Sequence, residues 1–221
     1  MTQDARIAAP GIKTGPIETG RIEAVVFDVG RVLFQWDLRC LFAKLIADPD
    51  ELEWFVTTVV TEEWHFQHDA GRPLSDMLPE RIAAFPDHRA LIEAYATRFN
   101  ETIPGPVLGS LDLVERLHAR GVPLYCITNF GAEFWDPFRA TQPVFECFRD
   151  VVVSGVEQVA KPDPRIYEIA AARFGHAPSA MLFVDDRADN IAAAQQLGWQ
   201  GHRFTVAEAL EAELSRLGLL G

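Results

Sequence analysis

Cysteine is scarce in this chain: three residues among 221, at Cys40, Cys126 and Cys147. Their number and scatter exclude a disulfide framework and a thiolate zinc site, and they fit a reducing compartment. Cys126 sits inside the apolar run LYCI and reads as a buried, inert thiol. Positive charge is also short. Twenty Lys and Arg face 32 Asp and Glu, a formal net charge of −12. An acidic protein is repelled by nucleic acid and by anionic membranes, so neither is an expected partner. No stretch approaches the ~18 consecutive apolar residues that span a bilayer. The first twenty residues, MTQDARIAAPGIKTGPIETG, lack the unbroken apolar segment of a secretory signal. Residues 1–20 read as a loose extension, and the chain as soluble and cytoplasmic.

What is present is enough to build a core, since 48% of the residues are hydrophobic. Four short apolar runs each end in polar residues: Ala24–Phe27 before Asp28, Leu124–Ile127 before Thr128-Asn129, Val151–Val153 before Ser154-Gly155, and Met181–Val184 before Asp185-Asp186. Runs of this length with little alternation suit parallel strands buried on both faces. Helical periodicity separates the later runs, at Leu111–His118, Ile166–Phe174 and Ile191–Leu197, each closed by a glycine. Residues 38–100 hold no strand pattern but several helical ones, over 38–46, 49–60, 75–84 and 89–99. The expected fold is α/β: a Rossmann-like open parallel sheet with a helical cap inserted after the first strand. Residues 21–37 and 105–221 would form the core, and residues 38–104 the cap. Ligands of such sheets bind outside the carboxyl ends of the strands, where all four polar clusters fall.

Each cluster has an ordinary reading by itself. Asp28 could cap a turn, and Thr128 with Asn129 could cap the next helix. Lys161, held extended by Pro162, could be a solvated charge. Asp185 and Asp186 repel each other unless a cation offsets them. Taken in order, the four resemble the motifs of the haloacid dehalogenase-like hydrolase superfamily: Asp28, Thr128-Asn129, Lys161, and Asp185-Asp186 with Asn190. The helical insert is similar to the small helical cap of one class of that superfamily.

The resemblance implies two competing chemistries. Phosphatases of the superfamily use the first aspartate as a nucleophile on phosphorus and need Mg²⁺; dehalogenases use it on carbon without metal. Phosphatases carry an acidic pair in the fourth motif, as here, where dehalogenases carry serine and asparagine. The resemblance therefore implies a Mg²⁺ site made by Asp28, the carbonyl of Gly30 and Asp186, a donor set that suits this hard ion. It makes Asp28, Lys161 and Asp185 catalytic, with Asp185 orienting a water on the metal. Thr128 and Asn129 hold phosphate oxygens, Gly131 lets the backbone approach the phosphate, and Asn190 steadies Lys161 and Asp185.

One position departs from the pattern. Most phosphatases of the superfamily have an aspartate acid–base two residues after the nucleophile, whereas this chain has Gly30. General acid catalysis is typically worth ~10²–10⁴ in rate. The first motif, FDVGRVL, is similar to that of bacterial glucose-1-phosphate phosphatases, so the glycine does not imply a dead enzyme. It favours substrates whose leaving groups need little protonation, such as sugar 1-phosphates or aryl phosphates, unless Asp37 or His65 supplies the acid. In the cap, Trp64, His65 and His68 could line a sugar-sized site or pack its interior, and Arg31 falls at the cap–core boundary. His65 and His68 have the spacing of a helical metal pair but no third ligand.

The resulting expectation is a Mg²⁺-dependent phosphatase acting on a small-molecule phosphate ester, a sugar phosphate as first guess. A metal-independent 2-haloacid dehalogenase and a non-catalytic binding protein of the same fold are the alternatives. Chloride release without metal would mark the first of these, and phosphate binding without turnover the second. The oligomeric state is not legible in these residues.

Overall fold

A computed structural model describes residues 21–221; the extension expected over residues 1–20 lies outside the described residues. Ala24–Phe27 form strand β1, buried throughout. The chain then contributes helices α1 (Arg39–Phe42), α2 (Pro49–Trp54), α3 (Glu62–Asp69), α4 (Leu74–Ala84) and α5 (Arg89–Thr97). From there it alternates: α6 (Ser110–Ala119), β2 (Leu124–Thr128), α7 (Ala132–Arg139), β3 (Asp150–Val153), α8 (Ser154–Glu157) and α9 (Pro164–Phe174). It closes with β4 (Met181–Asp185), α10 (Ala188–Gln196), β5 (Gln200–Arg203) and α11 (Ala207–Arg216).

The five strands form one parallel sheet in the order β3-β2-β1-β4-β5. Alternate side chains of a strand point to opposite faces. Val25 and Phe27 therefore enter one core with α6, α7 and α11, while Ala24 and Val26 enter the other with α9 and α10. Strand order reverses around β1, since β2 lies on one side and β4 on the other. Such a switch point opens a crevice at the carboxyl ends of the strands.

Local chemistry explains the helix boundaries. Asp163 caps α9 by accepting the Arg165 N–H at 2.9 Å, Pro164 occupies the first turn, and Gly175 ends the helix at φ 72°. Thr61 caps α3 by accepting the Trp64 N–H at 3.0 Å.

Two features differ from the sequence-based expectation. The helix expected over 38–46 shortens to α1, and that over 49–60 passes from α2 into a π-helical turn at Phe55–Val59. Strand β5 was not expected, because QGHR has no apolar run. It is formed by edge pairing, with Leu182 opposite Gln200 and Asp185 opposite Arg203. No helix among the described residues is long and apolar enough to cross a membrane.

Candidate active site

Asp28 leaves the end of β1 and Asp185 ends the neighbouring β4, so the sheet itself sets two carboxylates side by side. Lys161 reaches between them from the segment that precedes α9. Its ammonium lies 2.8 Å from Asp28 Oδ1 and 2.7 Å from Asp185 Oδ2, and donates to the Ile127 carbonyl at 2.9 Å. The lysine is only 1% exposed, so these three acceptors replace its water.

Asn129 fixes the lysine backbone. Its Nδ2 donates to the Lys161 carbonyl at 3.0 Å, and its Oδ1 accepts the Lys161 N–H at 2.8 Å. Asp185 is fully buried and accepts the Arg187 N–H at 2.8 Å, and Asn190 Nδ2 lies 3.0 Å from both of its oxygens. Asp28 Oδ1 also accepts the Val29 N–H at 2.7 Å. Its other oxygen makes no hydrogen bond within the described residues.

Asp186 completes the cluster: one carboxylate oxygen from each of Asp28, Asp185 and Asp186 lies within 4.8 Å of the others. Lys161 pairs with two of these acids, Asp28 and Asp185, and not with Asp186. Burial pushes the Asp28 carboxyl up to about 8, against the pull of Lys161 and with the push of Asp185 and Asp186. Burial and then Asp185 raise Asp186 as well. Burial alone would lower Lys161, but Asp185 and Asp28 together hold it above its ordinary value. The cluster lacks positive charge, and its all-oxygen donors match a hard divalent ion such as Mg²⁺.

A cavity of about 350 Å³ opens above these groups, reached by Asp28, Gly30, Asn129, Lys161 and Asp186. Gly30 faces open space: a Cβ built there meets nothing within 4 Å. Thr128 is buried, and its hydroxyl has no hydrogen-bond partner among the described residues. Arg31 takes a positive φ of 59°, pairs with Glu62 of α3 at 2.6 Å, and lies 5.0 Å from the Trp36 ring.

The structure separates residues that the sequence grouped. His65 lines the cavity, but its Nδ1 is 2.7 Å from the Tyr95 hydroxyl and its Nε2 is 3.1 Å from Asp69. Both nitrogens are engaged, so it is not a free proton donor. Trp64 points away and packs on Tyr95 and Arg81. His68 also lies outside the cavity lining, because its Nδ1 is held at 2.8 Å from the Arg72 carbonyl and its ring packs edge-on against Phe134. No histidine metal pair forms. Gly131 does not line the cavity; its missing side chain makes room for His68, whose Cδ2 would lie 2.0 Å from a Cβ there. Asp37 is likewise outside, accepting the Arg39 N–H at 2.8 Å. Asp69 lines the cavity and was missed, although its i+4 spacing from His65 places both on one helix face.

The chain is 26% identical over 195 residues to the sesquiterpene phosphatase of Aspergillus oryzae, covering 88% of this chain and 96% of that protein. It is 34% identical over 87 residues to phosphoglycolate phosphatase of Escherichia coli, but the match covers 39% of this chain and 34% of that enzyme. The fold is similar to that of a HAD family enzyme from Bacteroides thetaiotaomicron solved with magnesium and inorganic phosphate. The TM-score is 0.63 at 22% identity, covering 84% of this chain and 95% of that one. The family model for haloacid dehalogenase-like hydrolases matches residues 22–198. This chain belongs to the haloacid dehalogenase-like hydrolase family.

Proposed function

We propose that the protein is a Mg²⁺-dependent phosphatase that hydrolyses small phosphate monoesters through an aspartyl-phosphate on Asp28. The observation that carries this reading is a cluster of three carboxylates at the switch point of the sheet, two of them paired with one buried ammonium. Phosphatase relatives support it, one of them matched over nearly its whole length. Asp28, Asp186 and the Gly30 carbonyl are the candidate ligands, and Mg²⁺ held there offsets the repulsion between carboxylate and phosphate.

Asp28 Oδ1 is fixed by Lys161 and the Val29 N–H, which leaves Oδ2 to attack phosphorus. A new Oδ2–P bond forms while the ester P–O bond breaks, and the alkoxide leaves with the bonding electron pair and takes its proton from water, since no acid stands at residue 30. Water then attacks the phosphoryl group, releasing inorganic phosphate and the free carboxylate. Lys161 stabilises the anionic oxygens, Asp185 holds Lys161, and Asn129 secures its backbone. Thr128, outside the cavity lining, is a candidate donor only through its buried, unpartnered hydroxyl. Residues 38–104 act as the cap, with α3 forming the roof of the cavity.

The acidic pair favours this chemistry over dehalogenation, because halide displacement on carbon has no dianion to neutralise. Hydrolysis of 4-nitrophenyl phosphate with Mg²⁺ tests the reading. Activity should vanish with EDTA and return with Mg²⁺, and Asp28→Asn should lower turnover by about 10⁴-fold or more. Chloride release from 2-chloropropionate without metal, or no hydrolysis at all, would overturn it.

A further inference from the structure

The cavity above the three carboxylates has an apolar wall. Phe34, Trp36, Phe99, Ile103, Phe130 and Phe138 face the cavity. Phe34 meets Phe138 edge-on at 5.2 Å, and Phe130 stacks on Phe138 at 5.4 Å. These rings brace one another and form a fixed surface. Trp36 is engaged by Arg31 at 5.0 Å and by His65 at 4.8 Å, so its ring is already covered.

The polar groups that could meet a substrate's organic part, Gln35, Glu62 and Glu63, line the cavity from exposed positions. Both nitrogens of His65 are taken by Tyr95 and Asp69, and Asn129 is bound to the backbone of Lys161. A hydroxyl buried here without a partner loses affinity. The lining cations are also committed: Arg31 to Glu62 at 2.6 Å, Arg187 to Asp189 at 2.7 Å, and Lys161 to Asp28 and Asp185. Glu62, Glu63 and Asp69 line the same space. A second anionic group on the substrate meets repulsion there and no free positive partner.

We infer that the cavity takes the monophosphate ester of an uncharged, apolar alcohol, aliphatic or aromatic. It discriminates against polyhydroxylated alcohols and against substrates with a second anion. This rests on the phosphatase reading and replaces the sugar phosphate expected from the sequence. The expectation assigned substrate contacts to Trp64 and His68, and the fold turns both away from the cavity. Each methylene buried on such a wall is worth about fourfold in binding.

The test compares kcat/KM of the full-length enzyme with Mg²⁺ for hexyl phosphate, glucose 6-phosphate and phosphoglycolate. All three release a primary alkoxide, and hexanol is no better a leaving group than the others. Any preference therefore reports recognition of the organic part. Hexyl phosphate should lead both by roughly tenfold or more. Equal or reversed values would overturn the inference while 4-nitrophenyl phosphate hydrolysis kept the phosphatase reading intact; loss of that hydrolysis too would remove the reading itself. Gln35 lines the cavity from an exposed position, so Gln35→Lys adds a cation without disturbing the core. The hexyl-to-phosphoglycolate ratio should then fall severalfold, and an unchanged ratio would overturn the charge argument.

Discussion

The imidazole of His68 fills the space that a side chain on residue 131 would need: a Cβ there would lie 2.0 Å from Cδ2 and 2.2 Å from Nε2. Helix α3 is thereby seated directly on the turn that leads into α7. Ser154 pins the same place, accepting the Phe130 N–H at 3.0 Å and donating to the Asp69 carbonyl at 2.5 Å. His65 and Asp69, on the same helix, thus reach the cavity from a seat that depends on one glycine.

Gly131→Ala should displace α3 and lower both stability and turnover. Overpacking of this kind costs about 1–3 kcal/mol, readable as a lower urea midpoint. His68→Ala in the same chain should recover much of the loss, because it removes the clashing ring. If the double variant is no better than Gly131→Ala alone, His68 is not what the glycine accommodates.

Lys161 is the buried counter-charge of two acids. Lys161→Met should destabilise the protein by about 3–5 kcal/mol, because Asp28 and Asp185 are left facing each other unpaired. Thermal unfolding measures this directly. Adding Asp185→Asn should restore part of the stability but not the turnover, and a Lys161→Met protein as stable as the parent would contradict the assigned electrostatics.

Gly30 is the position where an acid is absent and space is open, since nothing lies within 4 Å of a built Cβ. Gly30→Asp should accelerate esters with poor leaving groups far more than 4-nitrophenyl phosphate. A general acid is worth roughly 10²–10⁴ in rate for an alkoxide and little for an aryl oxide that leaves unaided. The ratio of hexyl to 4-nitrophenyl phosphate turnover in the two proteins reads this out. No change in that ratio would mean that protonation does not limit the step.

Glu101 links the segment after α5 to Lys44, beyond α1. Hydrogen bonds from Arg98 and Lys44 hold its carboxyl down to about 2, from an ordinary 4.5. The folded state therefore binds fewer protons than the unfolded state between these values. The contribution is complete above about pH 4.5 and lost as pH falls through about 2. Urea unfolding should separate the parent from Glu101→Gln at pH 7, and the gap should close progressively below pH 4.5. A gap unchanged at pH 3 would show that the ion pairs do not contribute through this proton.

Much of the sheet was legible because each inner strand is an apolar run cut off by a polar residue. β1, β2 and β4 announce themselves in this way, and so do Asp28, Thr128 and Asp185 at their ends. The π-turn and β5 were not legible. The former carries side chains that enter the core, Phe55, Val56 and Val59, and the latter pairs along the edge that β4 offers it.

The amino-acid order by itself determined which groups stand at the carboxyl edge, since a strand's end is a local property of its residues. Only the tertiary structure decided which side chains of the helical insert look into the cavity. Trp64, His65, His68 and Asp69 all lie on one short helix, and its sequence does not state its rotation. That rotation is set by distant contacts, His68 against Gly131 and Ser154 beneath Asp69. They turn His65 and Asp69 toward the carboxylates and bury Trp64, because a helix presents to its neighbour whichever face that neighbour can accommodate.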